Sequence, residues 1–405
     1  MGLAPYGEPR YLDLIKQKLI DIKDDGSFRL NLDYFDYCTG LRMTNARFDA
    51  LFGAPPRKPE DPLTQREMDL AASVQAVTEE VVLKLAQAVA RETGEKNLCL
   101  AGGVALNCVA NGKLHKQGWF DNLWLQPAAG DAGGAVGAAL VAAHLYKGQP
   151  RTLNGAADGM RGAYLGPAYA QADIEQRLRA AGAVFEAVAD DTLIERAASA
   201  LAEGKALGWH QGRMEFGPRA LGGRSILGDA RSPTMQKLLN LKVKYRESFR
   251  PFAPSVLRED LPEWFDLDAD SPYMLLVADV APKHRIPMTD AQKALFGIDR
   301  LNVPRSEIPA VTHVDYSARI QTVHRDTNPR YHALISRFKA LTGCPVIVNT
   351  SFNVRGEPIV CTPEDAFRCF MGTEIEVLAV GNCFLRKEDQ NPALRQRYEG
   401  KFELD

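Results

Sequence analysis

Residues 97–107 read NLCLAGGVALN, and residues 122–146 read NLWLQPAAGDAGGAVGAALVAAHLY. Each opens with a short strand, the first reading as buried, then turns through glycines into a helical pattern. The first turn predicts a small helix from about Val104 to Lys116. The second, after Pro127, predicts a tight, alanine-rich helix. Strand, loop and helix twice in succession indicate an α/β layer architecture. Paired glycines let a backbone approach a ligand closely, and a glycine loop opening a helix aims amides and the positive dipole end at an anion. Asp131 sits in the second loop, where a carboxylate can hold a metal that bridges phosphates. The competing reading is a tight strand–helix turn with Asp131 as the helix cap. Two such loops at the carboxyl ends of successive strands favour a nucleotide site.

Upstream, Thr64 and Glu67 form a capping-box signature. Leu70, Val74, Val77, Val81 and Leu85 follow at helical spacing, and Gly94 ends the run. Downstream, composition shifts near 150–163, which predicts a boundary there. A second region runs to about 388, mixing helical patterns (Asp173–Gly182, Thr192–Glu203) with strands in ALGWHQG, YMLLVADV, ARIQTVH and PVIVNTS. The tail from 389 is polar and expected to be peripheral. The length of 405 residues suits two or three domains. With 45% hydrophobic and 25% charged residues and a net charge of −2, the composition is that of an ordinary globular protein. No apolar run approaches the ~18 residues of a membrane span. Seven scattered cysteines, an odd number with no C-x-x-C pair, fit a reduced, cytoplasmic protein.

The stretch Gln211–Arg250 carries nine Lys or Arg against three acids, and five glycines at 212, 217, 222, 223 and 228. Aromatic interleaving is too sparse for a nucleic-acid face, and the glycines imply close packing around something small. In KVKYR, strand periodicity puts Lys242, Lys244 and Arg246 on one face, suited to a compact phosphate-bearing anion. A surface salt-bridge network is the competing reading. In VNTSFNVRGEP, Asn349, Ser351 and Asn353 alternate along an extended chain ahead of Arg355, a pattern that binds a polar group next to a phosphate. A plain polar turn competes with it. His313 is the histidine nearest a suspicious arginine, Arg319. There is no Ser-His-Asp order, H-E-x-x-H or cysteine zinc pattern, so binding and positioning of phosphates is favoured over a protein nucleophile.

The chain opens MGLAPYGEPR, a turn-rich loop rather than a secretory signal. Together with GGVALN, GDAGGAVGAAL, MEFGPRALGGRSILGDAR, SFRPFAPSVL and NTSFNVRGEPIV, it resembles the NodU/CmcH-type O-carbamoyltransferases, in order and over nearly the whole chain. The resemblance implies an α/β and α+β fold: a partial actin/Hsp70-like (Kae1-like) domain over 1–152, a linker over 153–163, a YrdC-like domain over 164–388 and a polar tail over 389–405. It implies carbamoyl phosphate and ATP as substrates, a carbamoyl-adenylate made in the YrdC-like domain, and transfer to a hydroxyl of a small-molecule or sugar acceptor.

By motif, the resemblance makes Lys244, Arg246, Arg319 and Arg355 catalytic. Arg219, Arg250, Ser351 and Asn353 become contacts to carbamoyl phosphate and nucleotide. Gly102, Gly103, Asn107 and Gly133 line the adenylate cleft, and Asp131 is a ligand to a divalent metal, iron or magnesium. The family's MGLAPYG lies within the Kae1-like domain, after a first half with a paired-histidine metal motif; here no histidine precedes His115. Three readings are open for that absence: a mis-assigned start, a split gene whose separate chain supplies the half as a partner, or a degenerate remnant. Threonylcarbamoyl-type adenylation acting on tRNA, and a non-catalytic nucleotide-binding subunit, are the alternatives.

Overall fold

The computed structural model describes residues 1–58, 61–152, 158–246 and 249–395. The first region begins with a loop, a short helix α1 (Leu12–Lys18), a hairpin of β1 (Ile20–Ile22) and β2 (Phe28–Leu30), and α2 (Ala46–Leu51). These pack on α3 (Gln65–Thr93), which starts at the predicted capping box and stops at Gly94, whose φ of 67° is left-handed. The inward face of α3 is not the predicted stripe alone. Val77 and Val81 are buried, but Val74 is exposed, and Asp69 and Ser73 are buried instead. The opening loop is the cause: Asp69 accepts the Glu8 N–H at 2.8 Å and Ser73 Oγ accepts the Tyr11 N–H at 3.0 Å.

Next come β3 (Asn97–Leu100), α4 (Cys108–His115), β4 (Asn122–Leu125) and α5 (Ala132–Val141). The two strands pair in parallel, Asn97 opposite Asn122 and Leu100 opposite Leu125. NLCL reads as a buried strand, yet only one face of the pair is buried. Leu98, Leu100, Leu123 and Leu125 turn inward, while Cys99 and Trp124 are exposed. Helix α5 has no buried residue at all and runs on into a single π-helical turn, Ala142–Tyr146.

The second region supplies α6 (Gln171–Ala180), β5 (Glu186–Ala187), α7 (Asp190–Ala202), β6 (Leu207–His210), β7 (Arg224–Asp229), α8 (Met235–Leu238), β8 (Ala253–Leu257) and α9 (Leu261–Trp264). It continues with β9 (Leu276–Asp279), α10 (Asp290–Lys293), β10 (Ser317–Val323), α11 (Pro329–Thr342), β11 (Val346–Ser351), α12 (Pro363–Met371), β12 (Val377–Val380) and β13 (Cys383–Arg386). Strands β5 to β13 form one mixed sheet in the order β5-β13-β12-β6-β7-β11-β8-β10-β9. Its apolar strands and α7, α11 and α12 make the main core, which Leu125 joins from the first region.

The regions are in intimate contact. A Cβ on Gly112 of α4 would fall 2.1 Å from the Val277 carbonyl of β9, and Asn111 Nδ2 donates to Leu275 O at 3.1 Å. Of the expected linker, 153–157 lie outside the described residues, while Met160 and Ala163 are buried in the core. Of the expected tail, 396–405 lie outside the described residues. Its start is not peripheral: the buried Gln390 amide accepts the Val184 N–H at 3.0 Å and donates to its carbonyl at 2.8 Å.

Candidate active site

Two cavities adjoin where the large sheet meets the first region. The larger, about 730 Å³, is lined by the opening loop, α3, α4 and the sheet, with Arg219 and Arg319 in its wall. The smaller, about 210 Å³, is lined by Lys244, Asn353, Arg355 and their neighbours. Arg246, Arg250 and Ser351 line both.

The small cavity is built by a tight structure that the strand reading of KVKYR missed. Leu239–Val243 is a π-helical turn, a form that recurs at functional sites. The Lys244 N–H donates to Leu239 O at 2.8 Å and the Arg246 N–H to Asn240 O at 3.0 Å. The amides are satisfied inside this wide turn rather than in a sheet ladder. Lys242 therefore does not share a face with Lys244: it is exposed, and Lys244 is buried.

The Lys244 ammonium reaches β11 and the turn after it. It donates to Ser351 Oγ at 3.2 Å, Asn353 O at 2.9 Å and Asn353 Oδ1 at 2.7 Å, and also to the Ser351 carbonyl. Burial, with the Arg246 charge adding to it, pulls this ammonium down to about 7. Arg246 is oriented by Asn240 Oδ1 at 2.8 Å and lies over the Phe252 ring at 5.1 Å. Ser351 and Asn353 thus share a side, as their alternation predicts. Asn349 shares it too but is fully buried and bonds elsewhere.

In the large cavity, Arg219 stands on the loop between β6 and β7, and Arg319 on β10. Arg219 Nε is buried with no hydrogen-bond partner among the described residues. Burial, reinforced by the Arg319 charge, lowers the Arg219 guanidinium to about 10. The arginines are held near one another by amides. Asn349 Nδ2 donates to Ala220 O at 3.2 Å and to Gln321 Oε1 at 2.8 Å, while Gln321 Nε2 donates to Leu221 O at 2.8 Å. Two cations close together in a partly buried wall are an arrangement suited to a polyanion.

His313 also lines this cavity, with Nε2 3.2 Å from Gly2 O and Nδ1 3.5 Å from Asp315. The facing wall carries a polar cluster that the sequence reading missed. Gln75 Nε2 donates to Glu79 Oε1 at 2.9 Å, and Lys113 also bonds Glu79. Two polar residues four apart on the apolar side of a helix pattern were its signal.

Neither cavity is lined by Gly102, Gly103, Asn107, Asp131 or Gly133. Gly133 has a packing reason, since a Cβ there would meet Ala128 O at 2.2 Å. Asn107 caps α4, accepting the Ala110 N–H at 3.1 Å, and its amide pairs with Gln75. Gly102 adopts a φ of 95° and ties the two glycine loops through its N–H to Ala129 O at 2.8 Å. Asp131 is exposed and makes no cap hydrogen bond, so the helix-cap reading fails. No three His, Cys, Asp or Glu side chains gather as a metal-ligand group among the described residues. Asp131 alone does not fit a metal site. Among the described residues no helix is long and apolar enough to cross a membrane.

The family model described as Carbamoyltransferase N-terminus matches residues 1–140, and Carbamoyltransferase C-terminus matches 198–387. The protein sll1178 of Synechocystis sp. is 60% identical over 408 residues, covering all of this chain and 66% of that protein. Nodulation protein NolNO of Sinorhizobium fredii is 40% identical over 97% of the chain and 53% of its own length. The 3'-hydroxymethylcephem-O-carbamoyltransferase of Streptomyces clavuligerus is 32% identical over 84% of the chain and 59% of its own length. The chain thus spans between about half and two thirds of these relatives. A solved structure of full-length HypF, bound to phosphate and nucleotide, aligns with 53% of the chain at 18% identity and a TM-score of 0.31, a likeness too slight to assign a fold. With both family models matched in order and these relatives alongside, the chain belongs to the carbamoyltransferase family.

Proposed function

We propose that the protein takes part in O-carbamoyl transfer, with the region around the two cavities making a carbamoyl-adenylate from carbamoyl phosphate and ATP. The observation that carries this reading is the convergence of Lys244, Arg246, Arg250 and Arg355 with Ser351 and Asn353 on a small cavity whose wall continues into a larger one holding Arg219 and Arg319. The small cavity suits carbamoyl phosphate and the larger one a nucleotide. The balanced chemistry begins with water taking the phosphoryl group of carbamoyl phosphate, which leaves carbamate and inorganic phosphate. A carbamate oxygen then attacks the α-phosphorus of ATP, and pyrophosphate departs. The acceptor hydroxyl oxygen finally attacks the carbamoyl carbon, loses its proton, and AMP leaves. The cationic residues orient the phosphates and stabilise charge as it shifts between oxygens.

The acceptor is a hydroxyl-bearing small molecule or sugar, a reading supported by the name of the Streptomyces relative. Threonylcarbamoyl-type chemistry on tRNA is disfavoured, because both family models are those of carbamoyltransferases. Transfer to the acceptor draws on a segment of the relatives outside the span of this chain, on the same or a separate polypeptide. The one-sided parallel pair β3–β4 and the uncovered α5 support this, since parallel sheets are ordinarily covered on both faces. The test is product formation by mass spectrometry, with carbamoyl phosphate, ATP and a panel of hydroxylated acceptors, with and without that segment. Carbamoylated product formed only when the segment is added fits the proposal. No product with the segment and the full panel present rejects it.

A further inference from the structure

Glu215 lies in the stretch that carries Gly212, Gly217, Gly222, Gly223 and Gly228, and is buried, with 6% of its surface exposed. Its Oε1 accepts the backbone N–H groups of Leu221 at 2.6 Å, Gly223 at 2.7 Å and Arg224 at 3.4 Å. The loop thus coils around its own carboxylate, as a nest of amides coils around a bound anion. The carbonyls on the other side are gathered by the fully buried Arg224 guanidinium. It donates to Gln211 O at 3.1 Å, Gly223 O at 2.9 Å, Pro167 O at 3.3 Å and Cys361 O at 3.2 Å.

Between these two anchors, Pro218, Arg219 and Ala220 are pushed out to line the large cavity. Gly217, with a φ of 144°, and Gly222, with a φ of 105°, permit the bends on either side. The loop is further fixed where the Tyr164 hydroxyl donates to Leu221 O at 2.7 Å. A loop held this firmly keeps the Arg219 guanidinium beside Arg319 against their mutual repulsion, before any anion arrives to neutralise them.

We propose that Glu215 is a positioning residue whose carboxylate fixes the 215–224 loop so that Arg219 stands preorganised, beside Arg319, for a phosphate-bearing ligand. This rests on the reading of the large cavity as an anion site. Glu215 touches no ligand itself and acts through the backbone.

The test is a double-mutant cycle on inorganic pyrophosphate binding, measured by calorimetry on the full chain. Glu215→Gln keeps the shape and removes the charge, so affinity should fall roughly ten-fold. In an Arg219→Ala background the same change should cost nothing further, because the residue it positions is gone. Hydrogen exchange read by mass spectrometry should quicken in the 216–224 peptide of Glu215→Gln and nowhere else. Equal losses in both backgrounds, or unaltered exchange in that peptide, overturn the assignment. If Glu215→Gln does not fold, Glu215→Asp keeps the charge but withdraws it by one methylene, and it is judged by the same two readouts. A wild-type chain that binds no pyrophosphate overturns the anion reading and this proposal together. Wild-type binding with an additive cycle overturns the role of Glu215 alone.

Discussion

Replacing Lys244 with Met should separate two roles of its buried ammonium. The side chain keeps its shape as far as Cε and loses the ammonium, with its charge and three donors. Shifting an ammonium from its ordinary 10.5 to about 7 costs the charged form roughly 5 kcal/mol, so the folded chain holds this group at a penalty. The sign follows from proton binding: between pH 7 and 10.5 the unfolded chain holds the proton that the folded chain has released. For Lys244 alone, stability therefore rises with pH across that window. Anion binding runs the other way. Below pH 7 the ammonium is charged and attracts phosphate; above it the charge is lost. Carbamoyl phosphate affinity, measured by calorimetry, should fall by up to ten-fold per pH unit above about 7.5, where a phosphate is already fully ionised. Lys244→Met should bind about 10- to 100-fold more weakly at pH 7, from the loss of charge-assisted hydrogen bonds worth ~1.5–3 kcal/mol. Its affinity should also be nearly independent of pH. A folded Lys244→Met chain that keeps the wild-type affinity and pH slope would refute the reasoning.

A Cβ on Gly222 would sit 2.4 Å from the buried Tyr331 ring, at a φ of 105°. Gly222→Ala should therefore cost about 2–4 kcal/mol in chemical denaturation, and a loss below ~0.5 kcal/mol would contradict that packing. His210 is held down to about 3, by burial and then by Arg224. The unfolded chain takes up a proton near 6.5 that the folded chain refuses, so stability should drop as pH falls from 6.5 towards 3. In His210→Gln that drop should be shallower; an identical acid profile would speak against it. Leu145 and Tyr146 are 79% and 87% exposed beyond the uncovered α5. Such a surface should make the chain self-associate in light scattering, and changing both residues to Lys should reduce that association without lowering the Tm; a wild-type chain that stays monomeric, or association unchanged by the substitutions, would contradict this.

The parts of this structure that were legible in the sequence are those set by local pattern. The Thr64–Glu67 start and Gly94 stop of α3, and the strands in PVIVNTS and ARIQTVH, follow from capping, glycine and β-branched runs. That Lys244 belongs with Ser351 and Asn353, more than a hundred residues away, is implied by the family resemblance and not by local pattern. The turn that delivers Lys244 was not legible, because the i, i+2 spacing of KVKYR suits a strand while its amides close a π turn. The exposure of Trp124 was hidden because an apolar strand reads as buried whether or not anything covers its second face. Gly133 and Asn107 carried a ligand-like signal that backbone packing and helix capping account for. Glu215 gave no signal at all, since its partners are amides that every residue possesses.

The most direct measurement is carbamoyl-phosphate-dependent exchange of labelled pyrophosphate into ATP by the purified chain. Reversible formation of a carbamoyl-adenylate predicts label in ATP only when carbamoyl phosphate is present, and its loss in Lys244→Met. Absence of exchange in a folded chain shown by calorimetry to bind both substrates, or exchange that proceeds without carbamoyl phosphate, would contradict the account.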